Sequence, residues 1–258
     1  MRIGAPTHPR RDLVSEIEWI GRNGFSFADV FLEPDRGSAE AVDSAAVRSA
    51  LDAFRLEAVG HLAWYLPIAS PMPQLRRAAV EVANIYLAVF AEIGVPAVTV
   101  HAHWPPRLFS DEEGIGWQVE SLRAMLDAAQ QLGLRLMYEP LDGPQDTPDH
   151  IAKVLAELPS LLCHLDLGHS NLFGRSPVDM IRRFAQRLHH LHMHDNDGRS
   201  DLHLPPGAGN IEWPAVVRAL KEVGYDGTVT LEVFSRDRDY LLLAKRKLET
   251  WWAGDTGR

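Results

Sequence analysis

The stretch HHLHMHDNDGRSDLHLPPGAGNI, residues 189–211, decides how the chain folds. Its first six residues, 189–194, read as a β-strand: Leu191 and Met193 alternate with His190, His192 and His194, so three imidazoles share one face. A Gly/Pro-rich loop follows, and then a helical pattern opens at Trp213. A strand whose polar row strengthens toward its C-terminal end, followed by a loop and a helix, is one βα unit with chemistry placed at its mouth.

Working outward, the same unit recurs. Strand signals fall at 2–6, 27–33, 58–63, 97–103, 135–140, 162–167, 189–194 and 228–234. Helical periodicity lies between them, as at 12–22, with Leu13, Ile17 and Ile20 on one face, and at 74–93, ended by Gly94. Eight right-handed βα repeats close into a barrel, so the expected fold is a single-domain (β/α)8 TIM barrel spanning 1–258. A doubly wound open sheet is the alternative, but no strand is followed by a Gly-rich phosphate or dinucleotide loop.

Every strand signal from the second onward ends in an ionisable residue: Glu33, His61, His101, Glu139, Asp166, His192 and Glu232. Parity groups Thr99, His101 and His103 on one face, Met137 with Glu139, His164 with Asp166, and Thr230 with Glu232. Carboxylates and imidazoles converging in one cavity are costly unless a charge compensates them, and divalent cations are the simplest compensation. The single cysteine, Cys163, excludes a disulfide framework and a Cys-rich zinc site; it reads as a small hydrophobe on a strand. Imidazole and carboxylate donors without thiolate suit Zn, Mn, Fe or Co.

The 258 residues are 46% hydrophobic and 24% charged, with no low-complexity tract, as expected of an ordered globular protein. The net charge of −9 argues against a broad nucleic-acid surface. The first residues lack the apolar stretch of a signal peptide and no apolar run could span a bilayer, so a soluble cytoplasmic protein without membrane association is expected.

Three motifs carry a resemblance: Asp166-Leu167-Gly168-His169, His192-Met193-His194-Asp195-Asn196-Asp197-Gly198, and Asp201-Leu202-His203-Leu204-Pro205-Pro206-Gly207 continuing to Ile211. Together, and in strand order over nearly the whole chain, they resemble the xylose isomerase-like barrel superfamily, which includes sugar isomerases, sugar epimerases and the endonuclease IV repair enzymes. The resemblance implies a metal-binding quartet of Glu139, Asp166, His192 and Glu232. It also matches His61, His101, His169, Asp201 and His203 to the five further ligands with which endonuclease IV holds three zinc ions, so one to three divalent ions, Zn or Mn, are implied.

Two reactions remain open on these residues. In a sugar or sugar-phosphate isomerase or epimerase, Glu139 and Glu232 exchange a proton with the carbon beside a carbonyl. His169 then hydrogen-bonds a substrate oxygen, Glu33 orients a hydroxyl, and Arg199 meets a phosphate or carboxylate. In an endonuclease-type phosphodiesterase the metals activate a hydroxide, and Trp64, three residues after His61, stands near the position of a DNA-entering aromatic. The acidic Glu33-Pro34-Asp35 segment, the short loops and the net charge favour the sugar reading. A ligand-binding barrel without turnover is the third expectation.

The remaining histidines and aromatics read as support. His103, His164, His190 and His194 are expected to pack or to orient ligands, and His8, His150 and His189 to be ordinary. Trp104, Trp117, Trp213 and the Trp251–Trp252 pair read as packing groups, with Trp213 a staple for the loop before it and the Trp pair a possible self-association surface.

Overall fold

The computed structural model describes residues 1–254. Eight strands follow one another in chain order around a closed barrel: β1 (Arg2–Pro6), β2 (Phe27–Leu32), β3 (Glu57–Leu62), β4 (Ala97–His101), β5 (Arg135–Glu139), β6 (Leu162–Asp166), β7 (Leu188–Met193) and β8 (Thr228–Leu231). Helices alternate with them: α1 (Leu13–Arg22), α2 (Ser44–Phe54), α3 (Pro73–Ile93), α4 (Asp111–Gln131), α5 (Pro148–Glu157), α6 (Pro177–Phe184), α7 (Trp213–Glu222) and α8 (Asp239–Ala253). The (β/α)8 expectation holds, and closure excludes the doubly wound sheet. The chain divides into two compact units, residues 7–162 and residues 1–6 with those from 163 onward.

In the 7–162 unit, β2 to β5 pair in parallel, with His61 beside Thr99 and His101 beside Glu139. Phe27, Val59, Ala97 and Met137 form one buried apolar layer. Because side chains alternate, the next residues of the same row are Asp29, His61, Thr99 and Glu139, all buried. An apolar floor thus gives way to polar groups within two residues.

In the other unit, β6, β7, β8 and β1 pair in parallel, with Asp166 beside His192 and His192 beside Thr230. One face of β6–β8 carries Cys163, Leu165, Leu191, Met193, Val229 and Leu231, all buried. The opposite row carries His164, Asp166, His190, His192, Thr228 and Thr230, polar and equally buried. Its lower part is satisfied by hydroxyls: Nδ1 of His190 lies 2.6 Å from Thr228 Oγ1 and its Nε2 3.3 Å from Thr230 Oγ1.

Seven of the eight strands end one to three residues earlier than the sequence suggested. The reason is local. After His101 the ladder continues for one bond, Ala102 N–H to the Glu139 carbonyl, and then His103 N–H donates to Gln118 Oε1 instead. His103 therefore leaves the row it was expected to share with Thr99 and His101. Glu232 likewise lies one residue past β8, its N–H bonded to the Met193 carbonyl, before Phe234 N–H turns to the His203 carbonyl.

Helix ends follow ordinary capping rules. Asp12 caps α1 through Ser15 N–H, Ser110 and Glu113 form a capping box on α4, and α3 ends at Gly94 with φ 93°. Among the described residues no helix is long and apolar enough to cross a membrane.

Candidate metal centre

Four strand-borne groups meet in the 7–162 unit. The Nε2 atoms of His61 and His101 are 2.6 Å apart, and Glu139 Oε2 lies 3.4 Å from His61 Nε2 and 3.4 Å from His101 Nδ1. Asp29 Oδ1 stands 3.8 Å from the other nitrogen of His61, and the Phe31 ring packs against the same imidazole at 4.1 Å. His61, His101 and Glu139 can offer their donor atoms within 4.8 Å of one another. Asp29, fully buried, then orients His61, as a carboxylate commonly does behind a ligating imidazole.

The second cluster belongs to the other unit. His192 Nδ1 is 3.1 Å from Glu232 Oε2 and 3.9 Å from Asp166 Oδ2. His194 Nε2 lies 3.0 Å from Asp166 Oδ1, and His169 Nδ1 is 4.0 Å from Asp166 Oδ2. His203 Nε2 sits 2.8 Å from Asp201 Oδ2 and its Nδ1 3.0 Å from the Glu232 carbonyl. Burial alone pushes Asp166 upward, yet the charges of His169, His194 and His192 outweigh it and hold this carboxyl well below the ordinary carboxylate range. Glu232 is lowered in the same way by His192 and His203, and Asp201 by hydrogen bonds with His169 and His203, each against the cost of burial. His203 is raised to about 9: burial opposes its charge, but the hydrogen bond to Asp201 and the charges of Glu232, Asp201 and Asp166 prevail.

The loop from β7 to α7 brings Asp201 and His203 to this cluster, and two buried residues of the second motif fold it. Asp195 accepts from the N–H groups of Asn196, Gly207 and Ile211 and from Trp213 Nε1, at 2.7 to 3.2 Å. Asn196 donates to the Gly168 carbonyl and accepts from Gly198 N–H and Asn171 Nδ2. A Cβ at Gly209 would overlap the Asn196 carbonyl and Asp195, and one at Gly168 would overlap the His194 ring, so both positions require glycine. Trp213, 1% exposed, is the expected staple and stacks on Trp251 at 6.2 Å. His203 adopts φ 46° and lies in a stack between His194 at 3.9 Å and Phe234 at 4.1 Å.

The second cluster offers four imidazoles and three carboxylates without a thiolate, and buried oxygens of Asp166 and Asp201 accept no hydrogen bond. Anionic oxygens left unsatisfied in the interior are what a coordinated cation compensates, so these residues fit a divalent metal ion.

The family model described as the xylose isomerase-like TIM barrel matches residues 17–253. The chain belongs to this family. An uncharacterized protein of Methanocaldococcus jannaschii is 28% identical over 192 residues, 70% of this chain and 66% of its own length. Fructoselysine 3-epimerase of Escherichia coli O157:H7 is 27% identical over 124 residues, 46% of this chain and 45% of its own. The chain therefore spans about half to two-thirds of the length of these relatives. A solved D-tagatose 3-epimerase-like protein superposes with a TM-score of 0.88 at 24% identity, covering 99% of this chain and 98% of the other, a likeness of fold.

Of the residues singled out from sequence, His61, His101 and Glu139 come together in one unit, and Asp166, His169, His192, Asp201, His203 and Glu232 in the other. Three lie outside both clusters. Glu33, just past β2, hydrogen-bonds Tyr65, whose hydroxyl is raised to about 12 by burial and by the Glu33 charge. Trp64 is 59% exposed and stands edge-on to Tyr65 at 5.7 Å, and Arg199 lies in an exposed turn capped by Asp197. Sequence reasoning passed over Asp29, although its alternation with Phe27 was visible. It placed His194 among supporting residues, and nothing in the spacing showed that Phe234 would cover His203.

Proposed function

We propose that the chain is a metal-dependent sugar or sugar-phosphate isomerase or epimerase. The observation that carries this reading is the buried Asp166–His192–Glu232 group just at the ends of β6, β7 and β8, in the strand order of the family quartet that Glu139 completes. The likeness to fructoselysine 3-epimerase supports a sugar as the substrate class.

Asp166, His192, Glu232 and Glu139 would hold Zn or Mn. A bound divalent cation supplies Lewis-acid polarisation of a substrate carbonyl and its neighbouring hydroxyl. Glu232 is kept ionised by His192 and His203 despite burial, the form that a general base requires. Glu232, and Glu139 by the role that the family resemblance implies, exchange a proton with the carbon beside the carbonyl. His169 meets a substrate oxygen or serves as a ligand, while Glu33, Trp64 and Arg199 contact the outer part of the sugar, Arg199 taking a phosphate or carboxylate.

One observation favours the phosphodiesterase reading. His169, Asp201 and His203, which the resemblance to endonuclease IV matches to its third metal, bring their donor atoms within 4.8 Å of one another. The discriminating experiment is a panel of ketoses and sugar phosphates in heavy water, run beside an abasic-site duplex, with the Zn- and Mn-loaded protein. Deuterium entering the carbon beside a ketose carbonyl, lost in Glu139→Gln, is the expected result. Duplex cleavage without sugar exchange would replace the sugar reading, and tight sugar binding with neither reaction would leave a binding barrel.

A further inference from the structure

We propose that His194 is the fourth donor of a closed cation site, formed with His169, Asp201 and His203, in which the metal is structural rather than catalytic. The inference concerns one compact unit only and does not rest on the sugar reading. Three imidazole nitrogens converge on one carboxylate: Nε2 of His203 is 2.8 Å from Asp201 Oδ2, Nε2 of His169 is 3.5 Å from the same oxygen, and Nε2 of His194 is 3.5 Å from Oδ1. Bonds of about 2.0–2.1 Å to a tetrahedral Zn2+ put neighbouring donors about 3.3 Å apart, and these separations bracket that value. All four donor atoms lie within 4.8 Å of one another.

Nε2 of His194 faces carboxylates of both Asp166 and Asp201, at 3.0 and 3.5 Å. The ring is fully buried, and its Nδ1 makes no hydrogen bond. Asp201 Oδ1 is likewise buried without a hydrogen bond. The fold also shapes room for this ring. Gly168 lacks the Cβ that would strike it, and His203, at φ 46°, stacks on it at 3.9 Å.

The number of protein donors decides the chemistry. Three donors leave a fourth position for a reactive water, whereas four close the coordination sphere and leave the ion a structural role. A cation here would tie the loop residues Asp201 and His203 to His169, beyond β6, and His194, beyond β7. It would brace the mouth and bring no hydroxide of its own.

The test uses Co2+ titrated into the metal-stripped full chain in a Glu139→Gln background, which weakens the quartet. Four-coordinate Co2+ absorbs far more strongly in the visible than five- or six-coordinate Co2+, so an intense band saturating at one equivalent is expected. Weak bands would overturn the closed site without any further variant. Adding His194→Gln should abolish the intense band and weaken binding by more than the roughly 10–100-fold that losing an orienting neighbour costs. A retained band, or a loss within that range, would make His194 a positioning residue and refute its role as ligand.

Discussion

Asp195 is the residue on which the β7–α7 loop depends, and Asp195→Asn tests that directly. Its two oxygens each accept two bonds: Oδ1 from the N–H groups of Asn196 and Ile211, Oδ2 from Gly207 N–H and Trp213 Nε1. An asparagine keeps one oxygen and turns an NH2 toward the other two donors. Each buried donor left without an acceptor costs about 1–3 kcal/mol, so the substitution should cost roughly 2–6 kcal/mol. That is a large share of the ~5–15 kcal/mol by which domains are stable, and it should lower Tm by about 10 °C. Urea unfolding of the metal-stripped protein measures the loss free of any ligand contribution. Hydrogen exchange should quicken over 201–211 while the 7–162 unit keeps its protection. A shift within the ~0.5 kcal/mol typical of surface substitutions would refute the claim that this carboxylate organises the loop.

Glu139→Gln should abolish turnover of whichever substrate the chain accepts, and normal turnover in a steady-state assay would remove Glu139 from the centre. His203→Ala distinguishes the reactions: a sugar enzyme built on the quartet keeps a large part of its activity, whereas a trinuclear phosphodiesterase loses most of it. Gly168→Ala forces a methyl into the His194 ring and should cost about 1–3 kcal/mol by overpacking, read as a lower midpoint in urea. Chelation should lower Tm, with recovery that follows the concentration of re-added Zn2+ or Mn2+. Tyr225 provides a pH test away from the metal ligands. Its hydroxyl is buried, donates to the Thr228 carbonyl at 2.7 Å, and is raised above the usual tyrosine value chiefly by burial. A raised folded pKa favours the protonated native state, so this contribution is complete below about pH 10 and is lost as pH climbs above it. Tyr225→Phe should flatten the alkaline limb of a stability profile, and an unchanged limb would count against it.

Much of the architecture and part of the centre were legible in the chain alone. Eight alternations of period-two and helical patterns specify the barrel, because strand and helix faces must each bury an apolar side. The motif residues 166–169, 192–198 and 201–211 named every residue that later met in the two clusters except Asp29, His61, His101, Glu139 and Glu232, and strand-end position supplied all of those but Asp29. What the chain could not state is direction and distance. Whether His103 continues a strand depends on Gln118 of α4 competing for its N–H, a contact set by helix packing. His194 shares the alternating row of His192, yet only the loop folded by Asp195 and Asn196 brings Asp201 to within 3.5 Å of it. Asp166, Glu232 and His203 owe their altered protonation to neighbours that are remote in sequence and to removal from water. Residue type and period are local properties, and they fix the elements; convergence of donors on a point is a property of closed packing, and the tertiary structure alone decides it.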